Sequence, residues 1–466
     1  MIAVGAGVFL STIDGSIVNV ALPTLARSFE VSFAVVQWVV LAYLLAISTL
    51  MLGIGRLADM TGKKPIYTTG FVVFTLGSVL CGLAPTIYWL IAFRVLQAVG
   101  AAMLLALGLA IITESFPAAE RGRALGIAGS IVSIGIVIGP TVGGLLIDAY
   151  SWRWIFFVNL PVGIAGTLLA WRFVPNARPL GGQRFDFAGA GALFISLFSL
   201  LMALTLGQQL GFNQALVLLL FAGFILLLLL FIAVELRVDQ PMINLRHFKN
   251  ADFSIGLLTG FITFVAIAGA IILMPFYLEN VLGYGPREVG FLMAAIPVGL
   301  GISAPLSGAL SDRYGTRPIT VIGLIVLVFG YMAMSTLNAQ TTAWGFLLRF
   351  LPLGVGMGIF QSPNNSAIMG SASQRHLGIV SGMLAVTRTV GLTIGIAVLG
   401  ALWASRVFVY LGDALDIGAT NAPPGAQVSA LQYTFLVMAS MMAAALFVAF
   451  WALVQERRSR PVAPVG

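Results

Sequence analysis

The segment GRLADMTGKKP (residues 55–65) decides the fold, because a second copy, GALSDRYGTRP, occurs at residues 308–318. Five positions match at a constant offset of 253 residues: Gly55, Asp59, Gly62, Lys64 and Pro65 correspond to Gly308, Asp312, Gly315, Arg317 and Pro318. A second pair, WLIAFRVLQ (89–97) and WGFLLRFLP (344–352), matches at an offset of 255. Two co-linear matches indicate an internal duplication rather than chance similarity between apolar helices.

The chain around these copies is strongly apolar. Its 466 residues are 59% hydrophobic and 9% charged, whereas a soluble domain has about 25% charged residues. A helix crosses a bilayer with about 20 apolar residues, and we count fourteen such segments. They lie near residues 2–23, 34–55, 65–84, 88–112, 123–147, 153–173, 186–206, 213–234, 252–278, 288–310, 318–337, 344–368, 378–404 and 430–454. The sequence therefore predicts an all-α integral membrane protein with fourteen transmembrane helices.

The repeat divides these spans into three groups. We predict an N-terminal six-helix bundle at residues 1–175, two inserted helices with their linkers at 176–250, and a C-terminal six-helix bundle at 251–466. Parallel six-span repeats are typical of transporters, in which the binding site lies near the bilayer midplane between the repeats.

Basic residues determine the orientation. Of the 24 lysines and arginines, 17 lie in loops on the side of the termini and four in the opposite loops. Both termini are therefore predicted to be cytoplasmic. This placement also explains the net charge of +8 without nucleic acid. Cys81 is the only cysteine, which excludes a disulfide or a cysteine metal site within one chain.

Asp14 lies near the middle of the first span, within STIDGSIVNV (11–20), and is the only acidic residue that we place deep in the membrane. A charge there costs at least ~2.5–3.5 kcal/mol. Desolvation favours the neutral form of a carboxyl group and a nearby cation favours the charged form. Such a group can therefore couple protonation to conformation. The alternative is a hydrogen-bonded Asp14 that only holds helices together.

Arg94, in the fourth span, is the natural partner of Asp14, because an arginine remains charged. Gln97 lies one turn further along and could hydrogen-bond to either group. The alternative for Arg94 is that its side chain extends to the outer membrane interface. The second repeat has a matching arginine, Arg349, but Asp14 corresponds to Ile267. Proton chemistry is therefore predicted in the first repeat alone.

Several motifs, taken together and in order, resemble those of the major facilitator superfamily, specifically its fourteen-spanner drug:proton antiporter branch. The resemblance covers essentially the whole chain and implies two six-helix bundles related by a pseudo-two-fold axis, two extra helices, and proton-driven export. It also implies that Arg94 lies near Asp14. The motifs are IDGSIVNVALP, GRLADMTGKK, RVLQAVGAA and GIVIGPTVGG, with SWRWIFFVNLPVG and FQSPNNSAIMG as markers of the branch.

Further residues are candidates for a substrate cavity or for gating. The candidate cavity residues are Tyr43, Gln97, Asn19, Phe276, Asn364 and Arg388, and the candidate gating residues are Gly55, Asp59, Gly62, Lys63, Asp312, Gly135, Gly139, Pro140 and Gly143. Simple packing is the alternative for the aromatic residues and for the glycines of the fifth span. Asn19, Asn159, Asn364 and Asn365 could instead satisfy backbone groups freed by nearby prolines. Arg388 has no acidic partner within the spans of its half, and could bind a lipid or a substrate anion.

These features predict a proton-coupled secondary transporter that exports lipophilic or cationic drugs, or related amphiphiles, by alternating access. A lipid or glycolipid flippase of the same fold is the alternative. No Walker A motif is present, and the spans contain no clustered catalytic groups, so we do not expect an enzyme. We expect no cofactor other than the proton as coupling ion. The expected partners are a small amphiphilic or lipid substrate, protons and membrane lipids, with the protein acting as a monomer in the plasma (inner) membrane.

Overall fold

The computed structural model describes residues 1–116, 118–175, 187–238, 250–370, 377–411 and 418–459, and these residues contain no β-strand. A π-helical turn (Tyr277–Val281) and a short 3₁₀ turn (Ala419–Asn421) accompany the α-helices. The α-helices are α1 (Ile2–Ser28), α2 (Phe33–Val36), α3 (Trp38–Thr61), α4 (Lys63–Gly82), α5 (Ile87–Ser115), α6 (Ala118–Ala149), α7 (Trp154–Phe157), α8 (Asn159–Phe173), α9 (Phe187–Leu210), α10 (Ala215–Glu235), α11 (Ala251–Phe276), α12 (Pro286–Met293), α13 (Ala295–Tyr314), α14 (Thr316–Met334), α15 (Ala343–Gly370), α16 (Leu377–Leu411) and α17 (Pro424–Ser459).

Fourteen segments of the described chain are long and apolar enough to cross a membrane. Each coincides with one of the predicted spans. The largest extension is in α16, which continues to Leu411, beyond the predicted end at residue 404. The prediction of an all-α, multi-pass membrane protein is therefore confirmed.

The internal repeat is visible in matching backbone features. Gly62 precedes α4 with φ 99°, and its repeat mate Gly315 precedes α14 with φ 90°. Only glycine adopts such left-handed angles readily. Gly77 of α4 and Gly330 of α14, again 253 residues apart, both pack closely on the next helix of their repeat. The two copies thus share helix packing as well as sequence.

The chain divides into two compact units. The first contains Met1–Met242, Ile271–Ala294 and Ile396–Gln427, and the second contains Ile243–Ala270, Ala295–Gly395 and Val428–Gly466. The first unit therefore includes the ends of several spans from the second sequence repeat. The predicted division into two six-helix bundles and two inserted helices, with boundaries at residues 175 and 250, follows the order of the spans along the sequence and stays a prediction.

The two inserted helices, α9 and α10, pack mainly against each other. The Ser196 hydroxyl of α9 donates to the Phe224 carbonyl of α10 at 3.0 Å. Thr205 of α9 accepts a hydrogen bond from the Trp38 indole of α3 at 2.8 Å, so α9 links the pair to the rest of the first unit. Most of the α10 surface is exposed and aliphatic, as expected for a helix in contact with lipid.

Three glycines of α6 bring this helix into direct contact with α1. A Cβ atom on Gly139 would overlap Ser16 Oγ, and one on Gly143 would lie 2.7 Å from Ile17 Cγ1. The Ser16 hydroxyl also donates to the carbonyl of Gly135 at 3.2 Å. Small residues allow such close backbone approach in membrane helices. We call this contact, formed by the three glycines and the facing α1 residues, the glycine seam.

The glycine seam predicts a position-specific cost for added side-chain volume. Gly143→Ala should lower the melting temperature of the detergent-purified protein, because overpacking costs about 1–3 kcal/mol. Gly15→Ala is the control on α1, since a Cβ there meets no atom within 4 Å. Equal melting temperatures for the two variants would show that the seam is not tightly packed.

Candidate functional site

The Asp14 carboxylate is buried inside the first unit next to a guanidinium group. The side chain of Asp14 is 0% exposed and that of Arg94 is 1% exposed. Arg94 Nη1 lies 2.6 Å from Asp14 Oδ2 and also donates to Gln97 Oε1 at 2.6 Å. The structure therefore brings the predicted pair together, and the Arg94 side chain does not extend to the membrane interface.

Two amides complete the coordination of the carboxylate. Gln97 Nε2 donates to Asp14 Oδ1 at 2.8 Å, and Asn159 Nδ2 donates to the same oxygen at 3.2 Å. Both amides also donate to Ser78 Oγ, at 2.7 Å and 3.4 Å. We call Asp14, Arg94, Gln97, Asn159 and Ser78 the aspartate cluster. Both carboxylate oxygens accept hydrogen bonds within it.

The remaining surface of the guanidinium is covered by α3. Arg94 Nε donates to the Val39 carbonyl at 3.1 Å. The Tyr43 ring centroid lies 3.9 Å from Arg94 Cζ, a cation–π distance. The structure thus places Tyr43, a candidate cavity residue, on a buried charge, where its side chain is 2% exposed.

Local sequence features position the donors. A Cβ on Gly77 would lie 2.7 Å from Gln97 Cα, so this glycine permits the α4–α5 approach that brings Ser78 to Gln97. Asn159 is the first residue of α8. Pro161 follows within the first turn, where a missing N–H is tolerated. Val158, between α7 and α8, keeps helical angles (φ −58°, ψ −23°), and Asn159 projects from the start of α8 into the cluster.

Asn159 and Ser78 were not predicted as members of the site. From its sequence context, Asn159 is expected to hydrogen-bond to backbone groups freed by Pro161. In the structure, its amide nitrogen instead donates to Asp14 and Ser78. The only sequence signal was a polar residue within WRWIFFVNLPVG. Ser78 is a single hydroxyl in an apolar span and carries no distinguishing pattern.

Two other candidate cavity residues of the first unit lie outside the aspartate cluster. Asn19 Nδ2 donates to the Gly15 carbonyl at 2.9 Å within α1. The buried Phe276 ring packs edge-on against Phe33, with centroids 5.1 Å apart. Neither makes a contact that by itself indicates a ligand.

The candidates of the second unit, Asn364 and Arg388, both face α11. Asn364 Nδ2 donates to the Gly256 carbonyl at 3.1 Å. Arg388 Cζ lies 5.8 Å from the Phe264 ring centroid. Asn364 also lines a cavity of about 450 Å³ between α11, α14, α15 and α17.

The motif of the cytoplasmic loop is only partly defined. Lys63 Nζ forms an ion pair with the Glu114 carboxylate at the end of α5. Asp312 is exposed at the end of α13, and the side chain of Asp59 lies outside the described part of the structure. A Cβ on Gly55 would meet no atom within 4 Å. Among the residues that the structure describes, no other helix therefore packs closely against Gly55.

A second close contact of α6 involves α12. A Cβ on Gly290 would lie 2.5 Å from the Pro140 carbonyl oxygen and 3.1 Å from Gly144 Cα. Pro140 lies inside α6 and between the glycines of the seam. Within the first unit, α6 therefore contacts α1 on one face and a helix of the second sequence repeat on another.

An ion pair also joins the two sequence repeats within the first unit. Arg27 Nη2 at the end of α1 contacts Glu279 Oε2 in the π-helical turn. Arg27 Nη1 lies 3.5 Å from Asn280 Oδ1. Arg27 is 54% exposed, whereas Glu279 is 3% exposed. Sequence reasoning did not predict this pair, because nothing relates two span ends separated by about 250 residues.

Comparison with known proteins now assigns the family. A sequence model of the Major Facilitator Superfamily matches residues 4–185 and 182–396. The chain belongs to this superfamily. Its members include transporters similar to this chain over most of their length, so the protein is a membrane transporter and not an enzyme. The fourteen spans are consistent with the fourteen-spanner branch.

Three curated relatives illustrate the range of cargo. The riboflavin transporter RibZ of Clostridioides difficile is 34% identical over 87% of this chain and 88% of its own length. The multidrug resistance protein Stp of Mycobacterium tuberculosis is 35% identical, covering 89% and 78%. The multidrug transporter MdtP of Bacillus subtilis is 31% identical, covering 87% and 75%.

A solved structure shows the same fold. The bacterial homologue of the human lysosomal transporter Spinster, crystallised in an inward-facing and unoccupied conformation, aligns with a TM-score of 0.71. The alignment covers 99% of this chain and 98% of that chain at 18% sequence identity. This likeness concerns the arrangement of helices alone.

The aspartate cluster predicts unequal roles for two asparagines. Asn159→Ala removes a donor to the Asp14 carboxylate and should destabilise the protein by about 1.5–3 kcal/mol, the range for hydrogen bonds to charged groups. Asn19→Ala is the matched control, because its amide nitrogen bonds only to its own helix. Melting temperatures of the purified variants measure the difference. In an Asp14→Asn background, the cost of Asn159→Ala should shrink, and an unchanged cost would contradict the assigned contact.

The second ion pair predicts that one substitution is worse than two. Arg27→Gln leaves the buried Glu279 carboxylate without its cation, which should cost about 1–3 kcal/mol. Adding Glu279→Gln removes the uncompensated charge and should raise the melting temperature again. A double variant no more stable than Arg27→Gln alone would show that Glu279 carries no buried charge.

Proposed function

We propose that this transporter exports lipophilic or cationic compounds, or related amphiphiles, in exchange for protons. The observation that carries the proposal is the fully buried Asp14–Arg94 pair in the first repeat. The multidrug names of two relatives support the cargo class. The proposal places the protein in the plasma (inner) membrane with both termini cytoplasmic, as a monomer whose activity would confer drug resistance.

Protonation of Asp14 would change the charge of a dry site. In the ionised form the carboxylate neutralises Arg94, and both carboxylate oxygens, Arg94 Nε and Arg94 Nη1 have polar partners. A neutral carboxyl group leaves the guanidinium with the Gln97 and Val39 oxygens as acceptors. Leaving one member of a buried pair uncompensated costs about 3–5 kcal/mol.

That cost is large enough to drive a conformational change. About 1.4 kcal/mol corresponds to a tenfold change in an equilibrium, so 3–5 kcal/mol shifts a two-state equilibrium by roughly 10²–10³-fold or more. A conformation that hydrates Arg94 or supplies another acceptor would become favoured once Asp14 binds a proton. One titrating group can therefore couple the proton gradient to alternating access.

The close packing of α1 suits this coupling. The glycine seam packs α1 directly against the backbone of α6, so a displacement of Asp14 moves α6 as well. Through Gly144, α6 in turn contacts α12 of the second repeat. A change in charge at Asp14 thus has a packed route to helices beyond its own repeat.

A lipid or glycolipid is the second candidate cargo. The cavity of about 450 Å³ in the second unit has both polar and apolar walls, including Arg317 and Asn364 on one hand and Ile255 and Leu453 on the other. Such a cavity suits an amphiphile with a polar head. The riboflavin transporter among the relatives shows that the family does not fix the cargo.

The decisive test uses Asp14→Asn in proteoliposomes with an imposed pH gradient. We expect loss of gradient-driven rhodamine 123 transport and of substrate-dependent proton movement, measured with internal pyranine. Asp14→Asn with Arg94→Gln removes both charges and should stay folded but uncoupled. Asp148→Asn, at an exposed acid, is the control and should transport normally. Undiminished gradient-driven transport by folded Asp14→Asn would exclude the mechanism, and movement of fluorescent lipid without dye transport would favour the flippase.

A further inference from the structure

Arg388 is a further charged residue inside a membrane span. It lies in α16, eight residues after Val380, where the apolar segment of that helix begins. At 1.5 Å per residue, this places its Cα about 12 Å inside the segment. Arginine remains charged in proteins, and a charge at such depth is costly unless it is paired or lines a water-filled space.

No partner for Arg388 is found within the described part of the chain. No hydrogen bond or ion pair among those residues reaches its guanidinium, and the Phe264 ring centroid lies 5.8 Å from its Cζ. The second unit has one acidic side chain that the structure describes, Asp312, which is exposed at the end of α13. The burial of apolar surface therefore explains the position of the Phe264 ring, but it does not explain why the charged group of Arg388 lies inside the span.

The other two arginines inside spans are satisfied. Arg94 has a carboxylate, an amide oxygen and a backbone carbonyl. Arg349 donates to Thr336 Oγ1 at 2.9 Å and to the Gly345 carbonyl at 2.8 Å. Each guanidinium carries five donor hydrogens. Of these three arginines, Arg388 alone has no acceptor for them within the described chain.

The surroundings of Arg388 combine polarity with an aromatic surface. Gly256, Gly260 and Phe264 follow one another at four-residue intervals and so lie on one face of α11. The Asn364 amide contacts this face at Gly256 and Gly260, and Arg388 contacts it at Phe264. As a whole residue Arg388 is partly exposed, and charged side chains within membrane spans face the bundle interior or a water-filled cavity rather than lipid.

We propose that Arg388 binds an acidic group of the transported substrate, and that Phe264 supports its aromatic part. A guanidinium pairs bidentately with a carboxylate or sulfonate, and its planar face and a neighbouring ring suit a planar organic anion. This inference rests on the proposed transport function. Among the amphiphiles of that proposal it predicts a preference for compounds that carry an acidic group, and it requires no acidic residue of the protein to be displaced.

The test measures binding to purified protein without a gradient. Fluorescein and rhodamine 123 share a xanthene ring system but carry opposite charges near neutral pH. Fluorescence anisotropy should show tighter binding of fluorescein to the unaltered protein. Arg388→Gln should weaken fluorescein binding about tenfold or more, as expected for loss of a charge-assisted hydrogen bond, while rhodamine 123 binding stays equal or tightens.

Two further variants make the result specific. Arg388→Lys keeps the charge and should retain part of the fluorescein affinity, whereas Arg349→Gln removes an arginine that already has partners and should change neither dye. Melting temperatures establish that each variant is folded. No fluorescein binding by the unaltered protein, or equal binding by folded Arg388→Gln, would overturn the proposal.

Because binding is measured without a gradient, this proposal and the proton-coupling proposal fail separately. Fluorescein binding through Arg388 in a protein that shows no gradient-driven transport would exclude coupling and leave the substrate contact intact. Gradient-driven rhodamine 123 transport that depends on Asp14, together with no fluorescein binding, would support proton coupling and exclude the substrate contact at Arg388.

Discussion

A single buried charge pair organises the first sequence repeat. Asp14 and Arg94 could not occupy an apolar bundle separately, and together they still require polar partners for the remaining lone pairs and hydrogens. Those partners come from α3, α5 and α8, and Ser78 of α4 accepts hydrogen bonds from the two amides that hold the carboxylate. The pair therefore fixes which faces of these helices point inwards. A site of this kind is stable in one protonation state and strained in the other, which is the property that a proton-coupled transporter needs.

The two repeats share their backbone plan but differ in chemistry. Gly62 and Gly315 adopt the same left-handed angle, and Gly77 and Gly330 make equivalent helix contacts. In contrast, Ile267 occupies the position that corresponds to Asp14 and is buried among apolar neighbours. The duplicated framework thus holds a buried ion pair in one copy and, among the residues that the structure describes, an arginine without a hydrogen-bond partner in the other. Symmetry of fold does not imply symmetry of function.

The sequence predicted the spans, the repeat and the central charge pair, because each depends on composition or on an uncommon residue. An acidic residue in an apolar span is easily recognised in the sequence, and so is a basic residue of opposite charge in a neighbouring span. The second layer was not predictable in this way. Asn159 reaches the carboxylate from the start of α8, and Ser78 reaches the two amides through a glycine contact between α4 and α5. Both placements are properties of packing. Hydrophobicity also cannot distinguish the inner face of a membrane helix from its outer face, because the outer face contacts lipid and is apolar as well. The proposed cavity residues Tyr43 and Phe276 were therefore placed by type alone, and they lie in packed surroundings.

The glycine seam has a consequence for how this protein can vary. Its contact surface on α6 is backbone, whose shape does not depend on side-chain identity. Substitutions on the other faces of α1 and α6 therefore leave the separation of the two helices unchanged, as long as the three glycine positions keep only hydrogen. Residues that contact cargo can then diversify while the position of Asp14 stays fixed. A fold with this arrangement can acquire new substrates while its buried ion pair keeps the same surroundings.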